Sequence, residues 1–429
     1  MDPNGASARI ELTHTPLPLV FDPTPSKISS LHKAATRLTG TCTEIGGLVD
    51  LTGDASGATT CLDGTWSIVV DLSTLRDGPV DVMGVQWTAS HVLSSVPVAR
   101  QYIKETAHCD DLHHLNGAPF ASGTGSPADP YVACSGTQLT QLASHPDASI
   151  KLQNDIDIGG APWTPLDTLT GTLDGNGFVV ENLYFPDGSN YAGLFASSSG
   201  TIKNLGVVNV NMVGGCHLGA LVGILNQEGV VQDCYSTGII QTTSDSVGGL
   251  VGQSYGTILR AYSSVAITAS ASYDIGGLVG HSTETGIVRQ SYATGAIEVT
   301  HESNAGGLIG ENGGTVDDCY ATGSVTADSD SSSIGGLIGL NTGPLQSSYS
   351  SGPVSGEGSL VGGLIGENTG AVTSSYWDLE TSGQPSSAAG AGLTTANMGD
   401  QSSYSGWDFT TVWEFDSSRP AYPILRWQE

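Results

Sequence analysis

One pentapeptide recurs along the chain at a near-constant interval, and it limits the fold more than any other feature. Five copies are Gly248-Gly-Leu-Val-Gly252, Gly276-Gly-Leu-Val-Gly280, Gly306-Gly-Leu-Ile-Gly310, Gly335-Gly-Leu-Ile-Gly339 and Gly362-Gly-Leu-Ile-Gly366. Two variants precede them, Ala192-Gly-Leu-Phe-Ala196 and Gly219-Ala-Leu-Val-Gly223. Successive copies begin 27, 29, 28, 30, 29 and 27 residues apart. The period extends beyond the pentapeptide. A tyrosine recurs at Tyr235, Tyr262, Tyr292, Tyr320, Tyr349 and Tyr376. Four residues before each stands an aliphatic (Val231, Ile258, Val288, Val316, Leu345, Val372), and immediately before each a small residue (Cys234, Ala261, Ser291, Cys319, Ser348, Ser375). Five residues after the first five tyrosines comes a β-branched residue: Ile240, Ile267, Ile297, Val325 and Val354.

A unit of this length cannot bury its apolar face alone, so it must stack on its neighbours. The apolar positions lack helical spacing, and the β-branched enrichment favours strands. If each unit is one coil, equivalent residues lie about 4.8 Å apart and the aliphatic columns become interior ladders. Glycines would then supply left-handed turns or close approach between coils. The small column marks a tight interior position. The tyrosine column is either a mostly buried ladder or an exposed aromatic stripe for a ligand. The expected architecture over residues 192–380 is a right-handed parallel β-helix.

The flanks extend the stack. Ile150-Lys-Leu-Gln-Asn-Asp-Ile-Asp-Ile158 alternates like a strand, and Thr170-Gly-Thr-Leu-Asp-Gly-Asn-Gly-Phe178 reads as a strand entering a turn. A short helix at 139–143 would cover the open end, which makes 136–191 a lead-in with an N-terminal cap. After Tyr376 the period breaks. Residues 381–429 read as a C-terminal cap whose aromatics, Trp407 to Trp427, fold over the last coil and its unpaired strand edges. Residues 1–98 hold alternating segments such as Thr65–Leu72 and Val80–Trp87 and read as an immunoglobulin-like β-sandwich. Residues 99–135 are the connector. The fold class is all-β, in keeping with 59 glycines and only 13% charged residues.

The net charge is −29, from 13 basic and 42 acidic residues. Phosphate neutralisation needs Lys and Arg, so the charge argues against nucleic acid as a partner and disfavours an anionic membrane surface for the same reason. No apolar run is long enough to span a bilayer. The acidity serves solubility, including in a salty medium, or weak calcium binding. The candidate calcium ligands are Asp317, Asp318, Asp328 and Asp330. Of seven cysteines, Cys42 with Cys61 and Cys109 with Cys134 read as two local disulfides of an exported protein. Cys216, Cys234 and Cys319 remain, and an odd total leaves at least one unpaired or bonded between chains. Met1-Asp2-Pro3-Asn4-Gly5 opens no signal-peptide core, so the sequence reads as cytoplasmic or as a mature form. The cysteine pairs favour the mature form.

The pentapeptide repeats resemble the GLUG motif of bacterial surface proteins. Asp129-Pro-Tyr-Val-Ala-Cys134, Asn154-Asp-Ile-Asp-Ile158 and Gly171-Thr-Leu-Asp-Gly-Asn-Gly177 are similar to the usual lead-in of such repeats, and Trp413 to Trp427 to their close. Gly40-Thr-Cys42 with Cys61-Leu-Asp-Gly-Thr-Trp66 resembles a bacterial Ig-like module. The resemblance implies a secreted or cell-surface protein, often an adhesin. GLUG repeats also accompany the catalytic part of IgA-specific metallopeptidases, whose signature is His-Glu-x-x-His. Here His301-Glu302 is followed by Ala305 where the second histidine belongs.

Other chemical groupings are weaker. His108-Cys-Asp-Asp-Leu-His-His114 matches no zinc spacing and reads as a solvated connector. Asp155 and Asp157 read as turn-shaping groups, as do Asp174 and Asn176. Arg260 and Arg289 lie near Asp233, Asp317 and Asp318 and suit a surface ion-pair ladder better than a lyase site. The outward column Gln241, Thr268, Glu298, Thr326 and Ser355 is too irregular for an ice-binding array. The sequence thus predicts a non-enzymatic surface protein that binds a cell-surface glycan or protein, with the tyrosine column as the candidate binding stripe. The alternatives are a polysaccharide-degrading lyase or hydrolase, and a self-assembling subunit of an extracellular fibre.

Overall fold

The computed structural model describes residues 20–21, 27–29, 36–43, 45–62, 64–70, 72, 78–88, 94–105, 119–186, 188, 190–270, 273–301, 304–329, 331–356, 360–415 and 422–428. The chain divides into two compact units, residues 1–106 and 107–429.

The first unit consists of two small sheets around one core. Thr36–Thr41 pairs antiparallel with Val20–Phe21 and with Thr65–Val70. Gly78–Gln86 pairs antiparallel with Leu48–Gly53 and with Val98–Glu105, and Lys27–Ser29 adds a parallel edge. Thr65–Val70 alternates strictly, so Trp66, Ile68 and Val70 face inward against Leu38, Val49, Leu51, Val80 and Val82. The Trp66 indole donates to the Val20 carbonyl at 3.1 Å. The expected Cys42–Cys61 disulfide is formed across 6.0 Å between Cα atoms. Residues 99–105, assigned to the connector from sequence, instead complete the strand Val98–Glu105, because its pairing with Gly78–Gln86 continues to Lys104.

The second unit is a parallel β-solenoid. An eight-strand face runs from Leu166–Leu169 to Ile365–Asn368, and a ten-strand face from Tyr131–Ala133 to Val372–Thr373. A third face carries the tyrosines, and a short five-strand face runs from Val247–Gly248 to Leu360–Gly362. Inter-coil pairing is parallel and column-true: Ile258 pairs Val288, Val288 pairs Val316, and Val316 pairs Leu345. The lead-in consists of coils of the same stack, since Ser149 pairs Thr172 and Thr172 pairs Thr201. A helical turn at Gly136–Leu139, N-capped by Ser135, and the following turn Thr140–Ser144 bury Leu139 and Leu142 in the solenoid core.

The interior follows the columns. Val231, Ile258, Val288, Val316 and Leu345 are buried together with Ile240, Ile267, Ile297, Val325, Val354 and the pentapeptide leucines. Each fully buried aliphatic contributes roughly 1.5–3 kcal/mol. The pentapeptide forms the corner between the five-strand and eight-strand faces: Ile275–Gly276 ends there and Val279–Ser282 begins. Its glycines answer to space, not to handedness. A Cβ on Gly277 would collide with the Gly307 carbonyl oxygen and stand 2.9 Å from the Ala293 Cβ in the core.

The recurring left-handed turn of the coils is made elsewhere, by residues that are not glycine. Asn204, Asp233, Arg260, Gln290, Asp318, Ser347 and Ser374 all have φ between 46° and 53°. From Asp233 on they form one column two residues before the tyrosines; the short polar side chains of Asn204, Asp233 and Asp318 tolerate this conformation, and Arg260 and Gln290 adopt it as well. The buried small column beside them is also hydrogen-bonded. The Ser348 hydroxyl donates to the Gln346 carbonyl at 2.7 Å and accepts from the Cys319 amide at 3.1 Å. At the next corner a buried asparagine ladder runs between coils, from Asn312 Nδ2 to Asn341 Oδ1 at 2.8 Å and from Asn341 Nδ2 to Asn368 Oδ1 at 2.7 Å.

The C-terminal segment departs from expectation. Ala391–Leu393 adds one parallel strand beyond Tyr376–Asp378, which covers that edge. The aromatics do not fold over the end. They run back along the outside of the tyrosine face and reach the coil of Tyr292, where Trp427 Nε1 donates to the Gln290 carbonyl at 2.8 Å. The reason is partner supply. The tyrosine ladder is a ready aromatic surface along the side of the solenoid, whereas the end of the tyrosine face is already paired by Ala391–Leu393.

Candidate functional surface

The tyrosines stack in register on the outside of the solenoid. Ring centroids are 4.9 Å apart for Tyr235–Tyr262 and Tyr262–Tyr292, 4.8 Å for Tyr292–Tyr320 and 5.0 Å for Tyr320–Tyr349, all near-parallel. The spacing is that of the strands that carry them. The C-terminal strap closes over the middle of this ladder. Tyr292, Tyr320 and Tyr349 retain 8%, 5% and 1% of their accessible surface, packed against Met398, Tyr404, Trp407, Trp413 and Leu425. Three indoles fasten the strap to the left-handed corner column: Trp407 donates to the Ser374 carbonyl at 2.7 Å, Trp413 to Asp318 Oδ1 at 2.9 Å, and Trp427 to Gln290. From the other side Tyr349 donates to the Pro423 carbonyl at 2.9 Å and Tyr320 to Gln428 Oε1 at 3.1 Å. Burial pushes the Tyr349 hydroxyl well above its ordinary value.

The sequence-predicted binding stripe is therefore corrected. Tyr292, Tyr320 and Tyr349 are covered by the chain's own aromatics and present no face to a ligand. Tyr376 is half-buried and meets Tyr404 edge to face at 5.4 Å. Tyr235 and Tyr262 are half-buried at the other end of the ladder. The available signal was the coincidence of an aromatic column and an aromatic-rich tail in one chain.

The candidate calcium ligands do not converge. Asp317 pairs with Arg289 at 3.8 Å, and Asp318 receives Trp413. Asp328 lies at the corner leading to the five-strand face, where it accepts from the His301 amide at 3.1 Å and from the Ser331 hydroxyl at 3.0 Å. Asp330 and the His108–His114 cluster lie outside the described residues. Burial lifts the Asp318 carboxyl to about 6; the Trp413 N–H opposes the rise and Asp317 adds to it.

The cations are engaged in the expected ladder. Arg260 forks onto Asp233 at 2.6 and 2.9 Å, and Lys203 meets Asp174 at 3.5 Å. Asp155 accepts from the Val179 amide and Asp157 from the Gly159 amide, so both hold the turns of the first coils. Asn176 donates its amide to Asp174 Oδ1 at 2.8 Å in the turn expected there. Cys134 is disulfide-bonded, and Cys109 lies outside the described residues. Cys216, Cys234 and Cys319 are free. Burial pushes the Cys234 thiol up to about 12 and the Cys319 thiol higher still, which removes both from intermolecular pairing. The outward column Gln241, Thr268, Glu298, Thr326 and Ser355 is exposed throughout. Among the described residues no helix is long and apolar enough to cross a membrane.

The fold and its columns define a parallel β-solenoid repeat protein. Residues 271–300 and 301–326 match the family model of the GLUG motif. Over 199 residues, 42% of this chain, it is 36% identical to halomucin from Haloquadratum walsbyi. Over 194 residues, 40% of this chain, it is 27% identical to the immunoglobulin A1 protease of Streptococcus pneumoniae. The matches span 2% and 9% of those two proteins. A crystal structure from Bacteroides ovatus, named for immunoglobulin A1 protease, superposes with a TM-score of 0.55 at 21% identity. That superposition covers 73% of this chain and 97% of the other. At that identity the likeness concerns the β-helix fold alone.

Proposed function

We propose that this chain is a non-catalytic, exported surface module whose solenoid displays a binding face for a cell-surface glycan or protein. The observation that carries the reading is the split between constant and variable columns. Inward positions repeat from coil to coil, while the exposed column Gln241, Thr268, Glu298, Thr326 and Ser355 mixes amide, hydroxyl and carboxylate side chains. A scaffold that holds position and varies only what it shows is suited to recognition. The strap supports the same reading, because it seals the aromatic ladder and leaves the variable faces open. The small share of each relative that is matched suits a module of a longer protein. The Cys42–Cys61 disulfide suits an oxidising compartment.

The test is a screen of the purified chain against glycan arrays, immobilised extracellular proteins and whole cells. Saturable binding that is weakened by changes at Glu298 or Gln241 is expected. Absence of binding across the screen, turnover of an acidic polysaccharide, or fibres in electron micrographs would each overturn the proposal.

A further inference from the structure

We propose that Asp274, His281 and Glu311 form a binding site for a divalent transition-metal ion of the zinc class, held across two adjacent coils. One ligand atom from each side chain, an imidazole nitrogen and two carboxylate oxygens, lies within 4.8 Å of the other two. Separate elements bring them together. Asp274 occupies a left-handed corner, φ 57°, immediately before strand Ile275–Gly276. His281 lies on Val279–Ser282 and Glu311 on Ile309–Asn312, and the two are register partners on neighbouring coils. Asp274 is buried; His281 and Glu311 are half-buried on the solvent side. Asn304 Nδ2 donates to Asp274 Oδ1 at 3.0 Å and so orients the carboxylate, with Oδ2 left 3.4 Å from His281 Nδ1.

The convergence is specific to this place in the stack. One coil earlier the same columns hold Ser246 and Gln253; two coils beyond Asp274 and His281 they hold Ser333 and Leu340. Two carboxylates share a partly desolvated site, one of them buried and the other half-buried. An imidazolium at His281 neutralises one of the two negative charges. A divalent ion neutralises both and takes the imidazole in its neutral, ligating form. One nitrogen and two oxygens suit zinc, cobalt or nickel, whereas calcium takes six to eight oxygens. Ligands of a tetrahedral zinc ion with bonds of about 2.0 Å stand roughly 3.3 Å apart, close to the 3.4 Å between His281 Nδ1 and Asp274 Oδ2, and any wider separation closes by rotation of the half-buried side chains. Water would complete the coordination from the solvent side.

The test uses the full chain with any purification tag removed. It is made in a His113→Ala/His114→Ala background, so that the histidine run at 108–114 does not compete. Zinc is titrated calorimetrically, and cobalt is followed by its visible absorption. One equivalent of each should bind, and binding should weaken at least tenfold in His281→Gln and in Asp274→Ser. The solenoid already carries those residues in the same columns at Gln253 and Ser246, and far-UV circular dichroism checks that the variants are folded. Absence of zinc and cobalt binding, binding that survives both substitutions, or a preference for calcium would overturn the proposal.

Discussion

Trp413 is the centre of the strap, and its replacement separates the layers of the molecule. Its side chain is 0% exposed. The ring lies 4.4 Å from Trp407, 6.1 Å from Tyr349 and 6.2 Å from Tyr320, and its N–H donates to Asp318 at 2.9 Å. Trp413→Ala removes the packing and the hydrogen bond together, and large-to-small changes of this kind cost about 3–5 kcal/mol. Trp413→Phe keeps most of the ring volume and loses only the donor. A hydrogen bond to a charged group is worth about 1.5–3 kcal/mol, and solvent contact at Asp318 reduces this to about 1 kcal/mol. The solenoid does not need the strap to stack its coils, so the loss falls on local opening of the strap residues 394–415 and 422–428. At 1.4 kcal/mol per tenfold, amide hydrogen exchange in that segment should quicken about 10²–10⁴-fold in Trp413→Ala and about fivefold in Trp413→Phe. Exchange in the strands around Val288 and Val316 should stay unchanged. Equal acceleration in the two variants, or acceleration of the coil strands along with the strap, would refute the view that the strap is a separate layer held by ring packing.

Three further outcomes follow from the same physics. Asp318 holds its proton more tightly folded than unfolded, because its carboxyl is lifted from 3.8 to about 6. Stability should therefore fall as pH climbs from about 4 to about 6 and stay lower above that. Asp318→Asn, which keeps an oxygen for Trp413 and suits the left-handed backbone, should raise neutral-pH stability by about 1 kcal/mol and flatten that pH dependence in urea titrations. A net charge of −29 makes the folded chain repel itself. The thermal midpoint should rise by a few degrees as sodium chloride shortens the screening length from about 10 Å at 0.1 M to about 3 Å at 1 M; a flat scan would remove self-repulsion from the account. Gly277→Ala pushes a methyl into the Gly307 backbone and should cost about 1–3 kcal/mol in thermal unfolding.

The interior was legible in the sequence because every coil solves the same packing problem. Val288, Val316 and Leu345 meet the same neighbours, so the same residue type recurs, and the period, the strand character and the buried small column could be read directly. The left-handed corner was misplaced. Glycine was the obvious agent, yet Asp233, Gln290 and Ser374 perform the turn with side chains directed outward, and the pentapeptide glycines yield space to the next coil's carbonyls. The strap was half legible. Trp407, Trp413 and Trp427 signalled an aromatic lid, but local sequence does not say whether a lid closes an end or a side. That depends on the ladder hydroxyls and corner carbonyls waiting for partners more than a hundred residues away in the chain, as Trp427 and Gln290 illustrate. Asp274, His281 and Glu311 were invisible for the opposite reason to the core: their columns vary from coil to coil, and only the stacking of coils brings them together.

The most direct measurement is nitration of the native chain with tetranitromethane, read tyrosine by tyrosine by mass spectrometry. A sealed ladder predicts that Tyr292, Tyr320 and Tyr349 stay unmodified while the exposed Tyr191 and Tyr273 react, and that Tyr349 becomes reactive once Trp413 is replaced by alanine. If Tyr349 is nitrated in the native chain as fast as Tyr273, the ladder is an open surface and the account of a sealed scaffold that leaves recognition to its variable faces is wrong.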